Sequence, residues 1–389
     1  MFLTGVRVVR AFGREKYEVD KFNVQNEVYC DAWVQLSRLM SLFWGAGDLI
    51  SGVQIMIILV VGTVLCVNSD LSTGNFIAVV SYNAMLTWPV RSLGRVISEM
   101  SKTGVSIGRI GEIMIAEEET DVPDAVDADI SGDIMFEHVS FAYDKRTSSD
   151  GEPHEILRDV SLEIKRGTTV SILGMTGSGK STLVSLLCRL YELPENSGTI
   201  TLSGTDIRKI KASSLRKNIG IVLQEPFLFS RTLRENIGIT FENLQENESL
   251  ITEAARAACL DETIRNFTAG YETTVGERGV TLSGGQKQRT AIARLLASAP
   301  PVMIFDDSLS AVDSETDAKI RAALREKTAD STVILISHRI QTLMAADKIV
   351  VMTGGRITES GTHEELLKAG GIYKTINDIQ TGLPEDIAG

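Results

Sequence analysis

Two long stretches without charged residues dominate the hydrophobic pattern of the first third of the chain. Residues 49–69 carry no charge, residues 71–90 carry none either, and only Asp70 separates them. Each stretch is long enough to cross the ~30 Å hydrocarbon core of a bilayer as a helix. The pattern predicts an α-helical membrane hairpin. The alternative is a pair of buried helices in a soluble core.

Charged residues flank this hairpin on both sides. Residues 6–29 combine many charges with an apolar stripe, which predicts a water-facing helix. Lys and Arg occur before the hairpin and again after it, whereas the connecting turn at 68–74 has neither. The positive-inside bias therefore predicts that both ends of the hairpin lie in the cytoplasm. We expect residues 1–115 to form a partial transmembrane domain with cytosolic helical extensions.

The pattern changes after residue 115. Residues 116–133 are acidic and poor in apolar side chains, which predicts a solvated linker. Short β-branched runs then alternate with helical stretches over residues 134–380, which indicates an α/β domain with a largely parallel sheet. Residues 232–298 lack strand signals and predict a helical subdomain, and residues 381–389 form a tail. The predicted strands are 134–139, 160–164, 169–173, 220–223, 302–305, 332–336 and 348–352.

Composition narrows the classes of function. Of the 389 residues, 43% are hydrophobic, which is ample for a sizeable core, and the formal net charge is −12. An acidic chain with no basic block lacks the electrostatic footprint of a nucleic-acid-binding protein, so we expect no nucleic acid partner. The four Cys and four His residues are scattered. Because they show no metal-ligand spacing, they predict no metal site.

A glycine-rich segment, GMTGSGKST at 174–182, lies between a predicted strand and a predicted helix. Gly174, Gly179, Lys180 and Ser181 fill the GxxxxGK[ST] pattern, in which backbone N–H groups surround phosphate oxygens, the lysine reaches the terminal phosphates and the hydroxyl binds magnesium. The alternative is a simple glycine-rich turn. The residues predicted to bind nucleotide are Gly174, Thr176, Gly177, Ser178, Gly179, Lys180, Ser181 and Thr182.

Two adjacent carboxylates end a later apolar run. Residues 302–305 (VMIF) are followed by Asp306 and Asp307, so both acids lie at the carboxyl end of a strand, where ligands bind in open α/β sheets. Asp306 is then the magnesium partner of the phosphate loop, and Asp307 lies where a base that activates water is needed. The alternative is a helix-capping Asp before Ser308.

With the LSGGQKQR segment at 282–289, the chain resembles the ATP-binding cassette (ABC) transporters. In that family Ser283, Gly284, Gly285 and Gln286 open a helix that contacts ATP held by the opposite subunit. Other positions match family residues with known roles. Tyr143 matches the aromatic residue that stacks on adenine, and Gln224 matches the glutamine that links magnesium and the attacking water to the membrane domain. His338 matches the histidine that contacts the terminal phosphate, and Ser310–Asp313 matches the loop that touches the partner. Singly, each residue also fits a structural role, as a core tyrosine, a surface amide or a strand-end histidine.

The resemblance implies a P-loop NTPase domain with a helical subdomain, with ATP and Mg²⁺ as its cofactors. Magnesium would be served by Ser181, Gln224 and Asp306, and the catalytic positions would be Asp307, His338 and Gln224. The segment Gly276–Gly279 before the signature resembles the exporter branch. The two spans would then be the fifth and sixth of six, so we expect a fragment or a truncated gene model.

The chain departs from the family pattern at Asp307, where exporters that hydrolyse ATP well place Glu. The pattern resembles one half of a heterodimeric exporter, in which this subunit has the slow site and a distinct partner subunit bears the Glu. A homodimer with two slow sites is the alternative. A non-hydrolysing ATP-binding regulatory subunit and a soluble ABC ATPase also fit the motifs.

For the exporter reading we expect a multi-pass protein of the cell membrane, surrounded by membrane lipid, with its nucleotide-binding domain in the cytoplasm. The two spans carry no charge that would indicate an ionic cargo. Lipids, drugs and peptides all stay open as the transported substrate.

Overall fold

A computed structural model of the chain describes residues 2–116, 118–129, 132–143, 154–276, 279, 281–308, 314–327 and 331–382. Contacts within the chain divide it into two compact units, residues 1–118 and residues 119–389. The first unit is helical, and the second combines sheets with helices.

The described residues of the first unit form three helices, α1 (Phe2–Ala11), α2 (Glu15–Val67) and α3 (Thr73–Ile115). Our prediction of one continuous helix over 6–29 was wrong, because α1 ends at Ala11 and α2 begins after a break. Gly13 has a φ of 58° in this break, a left-handed conformation that glycine adopts readily and that ends helices.

Helices α2 and α3 pack as an antiparallel pair around a five-residue turn between Val67 and Thr73. Gln54 donates a hydrogen bond of 2.6 Å to the side-chain oxygen of Asn83. Gly62 is buried, and a Cβ at this position would overlap the ring of Phe76. These contacts join the two helices that carry the predicted spans.

Among the helices of the described residues, α2 alone combines the length and the apolar composition needed to cross a membrane. Its large apolar side chains are mostly exposed, including Leu49, Ile50 and Val60. The second predicted span lies in α3. That helix is more polar there, since it contains Asn75 and Asn83.

The second unit begins with residues that attach to its surface, although we predicted a solvated linker. Arg216 donates hydrogen bonds to both carboxylate oxygens of Glu119. The buried Arg189 reaches Asp121 at 3.3 Å, and Val126 forms a bridge with Ile210. These positions are exposed to solvent and also attached to the α/β domain, because two of its arginines pair with the acidic run.

The second unit contains strands and helices in alternation, and in chain order they are β1 (Ile134–Ala142), β2 (Glu155–Ile164), β3 (Thr169–Gly174), α4 (Lys180–Leu187), β4 (Thr199–Leu202), β5 (Thr205–Asp206), α5 (Ala212–Asn218), β6 (Ile219–Val222), α6 (Leu233–Ile237), α7 (Glu248–Ala257), α8 (Asp261–Arg265), α9 (Gly284–Ser298), β7 (Val302–Asp306), α10 (Ser314–Lys327), β8 (Thr332–Ile336), α11 (Ile340–Leu343), β9 (Lys348–Thr353), β10 (Arg356–Gly361), α12 (His363–Ala369) and α13 (Ile372–Thr381). Between β6 and β7 the described residues form four α-helices.

The described part of the central sheet has six strands in the order β10-β9-β3-β8-β7-β6. All neighbours are parallel except β9 and β10. Strands β3 and β7 are buried almost throughout, as expected for a parallel sheet covered on both faces. The carboxyl ends of β3, β8, β7 and β6 therefore meet along one edge.

The first two predicted strands do not join this sheet. Strands β1 and β2 belong to a separate antiparallel sheet in the order β2-β1-β4-β5. Their buried and exposed positions largely alternate, which is typical of antiparallel strands with one buried face. The alternation distinguished them from the continuously apolar parallel strands.

Candidate functional site

The loop between β3 and α4 packs closely against its own Ser178 and against β9. A Cβ on Gly174 would lie 2.5 Å from the Oγ of Ser178 and 2.6 Å from the carbonyl oxygen of Met352. Gly179 has a φ of 98° directly before α4, a conformation that favours glycine. The loop therefore forms a cradle at the N-terminus of a helix, where N–H groups and the helix dipole favour an anion.

The Lys180 ammonium lies across this cradle. Its Nζ donates hydrogen bonds to the carbonyl oxygens of Gly174 at 2.7 Å and Met175 at 2.8 Å, and to the Oγ of Ser178 at 3.3 Å. Burial lowers the pKa of Lys180, and the nearby carboxylates of Asp306 and Asp307 oppose that effect. A cation is thus held where phosphate oxygens would approach the loop.

The hydroxyl of Ser181 meets the carboxylate that ends β7. Ser181 Oγ donates a hydrogen bond of 2.8 Å to Asp306 Oδ2, and Asp306 is buried. Burial raises the pKa of Asp306, whereas the Ser181 hydrogen bond and the Lys180 charge lower it. A buried carboxylate beside a hydroxyl is a suitable oxygen donor set for a small divalent cation.

The donor set is compatible with Mg²⁺. No group of three or more His, Cys, Asp or Glu side chains that could hold a metal occurs in the part of the chain that the structure describes. Mg²⁺ commonly takes one or two protein oxygens together with water and substrate phosphates. Ser181 and Asp306 match that mode of binding.

Asp307 and His338 form a second polar pair at the same sheet edge. The Asp307 Oδ2 and the His338 Nδ1 lie 3.1 Å apart, with side chains 13% and 60% exposed. Asp307 follows β7, and its N–H donates to the carbonyl oxygen of Ile336 at 2.8 Å. Its φ is 45°. This backbone directs the Asp307 carboxylate toward the end of β8, where His338 follows.

Tyr143 contacts the residue that follows the phosphate-loop serine. Its hydroxyl lies 3.0 Å from the Oγ1 of Thr182, and its ring packs edge-on against Tyr191, with centroids 5.0 Å apart. Phe141 contacts both rings. Sequence reasoning did not select Tyr191, because a single tyrosine in a loop after α4 carries no motif.

One cavity of about 660 Å³ brings most of these residues together. Gln224, which lies just beyond β6, also lines it. Ser178 does not line the cavity but contacts Lys180 beneath it. The predicted residues that line the cavity are Tyr143, Gly174, Thr176, Gly177, Gly179, Lys180, Ser181, Thr182, Gln224, Asp306, Asp307 and His338.

The predicted signature residues lie outside this cavity. Ser283 caps α9: its Oγ accepts from the Gln286 N–H at 3.3 Å, and its own N–H donates to Gln286 Oε1 at 2.9 Å. This capping box leaves Gly284 exposed, with open space where a Cβ would lie. The helix terminus is therefore well formed and accessible, but it does not meet the phosphate loop of the same chain.

Some predicted positions fall outside the described residues. They are Ser310–Asp313, Glu277, Arg278 and most of the tail.

Comparison with known proteins agrees with this arrangement. Residues 157–310 match the family model of the ABC transporter, and residues 2–90 match that of the ABC transporter transmembrane region. One curated relative is an uncharacterized ABC transporter ATP-binding protein of Bacillus subtilis, which is 39% identical over 97% of this chain and 64% of its own length. Another is the ATP-dependent lipid A-core flippase of Legionella pneumophila, which is 36% identical over 97% of this chain and 62% of its own length. The chain thus spans less than two thirds of the length of these relatives.

A solved structure, that of a bacterial Atm1-family ABC exporter with ATP bound, superposes with a TM-score of 0.82 at 32% identity, covering 97% of this chain and 65% of the exporter chain. The fold predicted from the sequence, a helical membrane region followed by an α/β nucleotide-binding domain, is confirmed. The protein is a membrane protein whose nucleotide-binding domain lies in the cytoplasm. With both of its domains matched by models of one family, the chain belongs to the ABC transporters.

Proposed function

We propose that this chain is the ATP-binding and ATP-hydrolysing subunit of an ABC exporter. ATP binding and hydrolysis at a dimer of nucleotide-binding domains would drive export of a substrate across the membrane. The observation that carries the proposal is the convergence in one cavity of Lys180, the Ser181–Asp306 pair and the Asp307–His338 pair. These groups match the needs of phosphoryl transfer to water, which are charge neutralisation and positioning of the nucleophile.

Each group then has a chemical task. Lys180 binds the terminal phosphates, and Ser181 and Asp306 hold Mg²⁺, which neutralises charge on those phosphates when bound. Asp307 accepts a proton from the water whose oxygen attacks the terminal phosphorus, and the bond to the leaving ADP oxygen breaks. His338 contacts the terminal phosphate.

The remaining predicted residues would bind the nucleotide at its periphery. Tyr143 stacks on adenine, because its ring lies at the edge of the cavity beside Thr182. Gln224 would contact the nucleotide site from its position just beyond β6. The accessible terminus of α9 at Ser283 and Gly284 would contact ATP held by a second subunit.

The proposal also concerns the second subunit of the transporter. The position of the signature outside its own cavity supports a site completed by another subunit. Asp307 is one methylene shorter than Glu, so its carboxylate reaches the water less well and its own site hydrolyses slowly. We infer that the partner is a distinct, Glu-bearing exporter subunit, with a homodimer of two slow sites as the alternative.

Two rival functions remain. The first is a non-hydrolysing ATP-binding regulatory subunit, which would keep the cradle and the signature but lack turnover at its own site. The second is a soluble ABC ATPase. The exposed apolar side chains of α2 disfavour the soluble form, since such a surface needs lipid or protein cover.

The activity is tested by measuring phosphate release from ATP by the assembled transporter in lipid nanodiscs, with the partner's phosphate-loop lysine replaced so that only this chain's own site turns over. We expect Mg²⁺-dependent turnover that Lys180→Met reduces by at least about 100-fold, because the cation that stabilises transferring charge is lost. Lys165→Met, at an exposed position in the turn after β2, is the matched control and should keep wild-type turnover. ATP binding without turnover in the assembled complex would support the regulatory alternative instead.

The partner is tested by purifying the tagged chain from its native membrane. A second, distinct ABC subunit with Glu after its strand aspartate is the expected companion. Recovery of this chain as the sole ABC subunit would favour the homodimer, and recovery from the soluble fraction without detergent would favour the soluble ATPase.

A further inference from the structure

A residue of the last helix, α13, forms hydrogen bonds with the loop that carries His338. Gln380, on α13, accepts a hydrogen bond at Oε1 from the Ile340 N–H at 2.9 Å. Its Nε2 donates to the carbonyl oxygen of His338 at 2.6 Å. One side chain thus bonds the backbone of His338 and the backbone two residues further on.

The N-terminal end of helix α13 is buried and hydrogen-bonded. Tyr373 is fully buried, and its hydroxyl lies 2.7 Å from the His363 Nδ1. Glu359 accepts hydrogen bonds from the N–H groups of Ile372 and Tyr373, which begin the helix. The Tyr373 ring packs in a buried apolar cluster that also contains Ile340. Gln380 therefore extends from a fixed element rather than from a free terminus.

His338 needs such support because its own side chain is held weakly. The imidazole is 60% exposed and meets the Asp307 carboxylate at 3.1 Å. A side chain that is so exposed is placed mainly by its backbone, since few packing contacts restrict its rotamers. The two Gln380 hydrogen bonds fix that backbone at His338 and at Ile340.

We propose that Gln380 is a positioning residue for His338, so that α13 controls the alignment of the histidine in the nucleotide site. The proposal rests on the proposed role of His338 in ATP hydrolysis. Gln380 does not line the cavity itself. Its effect on turnover must therefore pass through the loop of His338.

A double-mutant cycle in nanodiscs tests the proposal, using the assembled transporter in which the partner's phosphate-loop lysine is replaced, so that turnover reports on this chain's own site. Gln380→Leu keeps the side-chain size and removes both hydrogen bonds. We expect it to lower kcat about tenfold with little change in KM for ATP, because misplacement of a catalytic group slows the chemical step more than binding. In the His338→Ala background the same substitution should have no further effect, because the residue on which it acts is gone.

Thr381→Val is the matched control. Thr381 lies next to Gln380, and its hydroxyl bonds only within α13 among the described residues, to the Asn377 and Asp378 carbonyl oxygens. This variant should keep wild-type kcat. Hydrogen exchange provides a readout independent of turnover: the Ile340 amide should exchange faster in Gln380→Leu and at the wild-type rate in Thr381→Val.

Three results would overturn the proposal. They are full turnover in Gln380→Leu, an equal loss in the His338→Ala background, and unchanged exchange at Ile340. If His338→Ala itself keeps full turnover, the proposed role of His338 fails, and this inference fails with it. A loss in His338→Ala with no loss in Gln380→Leu would leave the proposed function intact and reject only the role of Gln380.

Discussion

The Asp307 carboxylate and the His338 imidazole lie 3.1 Å apart, although the two residues are distant in sequence. Adjacent parallel strands create this proximity, because β7 ends one residue before Asp307 and β8 ends two residues before His338. Both side chains line the cavity of about 660 Å³ described above. In the proposed ATPase, this pair would provide the carboxylate and the imidazole that act on the attacking water and the terminal phosphate.

The first prediction concerns the reach of Asp307. Asp307→Glu should raise turnover at this chain's own site about tenfold, because an added methylene brings the base closer to the attacking water. The measurement is phosphate release by the assembled transporter in which the partner's phosphate-loop lysine is replaced. Asp307→Asn is the control and should lower turnover. Equal turnover for Asp and Glu would reject reach as the cause of slow hydrolysis.

The second prediction concerns magnesium. Ser181→Ala removes the hydroxyl that bonds Asp306, and it should raise the Mg²⁺ concentration needed for half-maximal ATP binding by about tenfold or more, as expected for loss of an oxygen ligand. Ser185→Ala makes the same change one turn later on α4, where the hydroxyl bonds the Ser181 carbonyl oxygen. A titration with fluorescent ATP measures both variants. An equal Mg²⁺ requirement would assign Ser181 a structural role only.

The third prediction concerns the buried Arg189. Its guanidinium donates to the Ile210 carbonyl oxygen, to Glu192 at 2.9 Å and to Asp121 at 3.3 Å. Arg189→Met should lower the free energy of unfolding of the α/β domain by about 2–4 kcal/mol, because it leaves partly buried acceptors without a hydrogen-bond donor.

Arg158→Met is the control for Arg189. Arg158 is half exposed and faces Glu155 at 3.6 Å, so its loss should change the unfolding free energy by less than about 1 kcal/mol. Urea denaturation followed by far-ultraviolet circular dichroism compares the two variants. Equal effects would contradict the view that Arg189 anchors the segment around Asp121.

The fourth prediction is a pH dependence. The hydrogen bonds from Arg216 hold the pKa of Glu119 below its ordinary value of 4.5. A lowered folded-state pKa stabilises the fold fully above the ordinary value, and this contribution disappears as the pH falls through the folded-state pKa. Glu119→Gln should therefore lower the melting temperature at pH 7, and the difference from wild type should shrink below pH 4.5.

The size of this effect is small because the pair is largely exposed, so we expect less than about 1 kcal/mol at pH 7. Glu118→Gln, at the preceding exposed position, is the control and should follow wild type across the same range. Calorimetry at several pH values measures the melting temperatures. A difference that grows on acidification would have the wrong sign for this ion pair.

Much of the site could be predicted because its residues follow strands in a fixed order. Short apolar runs placed the cradle, Asp306, Asp307 and His338 at carboxyl ends of strands, and a parallel sheet brings such ends together. The split into two sheets was missed, since strand propensity alone does not state which strands pair. Alternation along β1 and β2 was the available signal.

Contacts between distant polar side chains were beyond sequence reasoning. Nothing around Gln380 indicates that its amide bonds the backbone near His338, and an acidic run such as that around Glu119 usually is solvated. The break at Gly13 was also missed, because an isolated glycine in a charged helix is often tolerated. In each case the deciding partner, or the deciding backbone angle, becomes visible only in three dimensions.

The left-handed backbone at Asp307 has a consequence for how this site can change. With a φ of 45°, the position suits Asp, whose short polar side chain tolerates that conformation better than longer side chains do. A gain in reach from Glu would therefore come with a loss of local conformational stability. In the proposed ATPase, reach and rigidity would be opposed at this residue, since Asp suits the backbone conformation and Glu would bring the carboxylate nearer to the water.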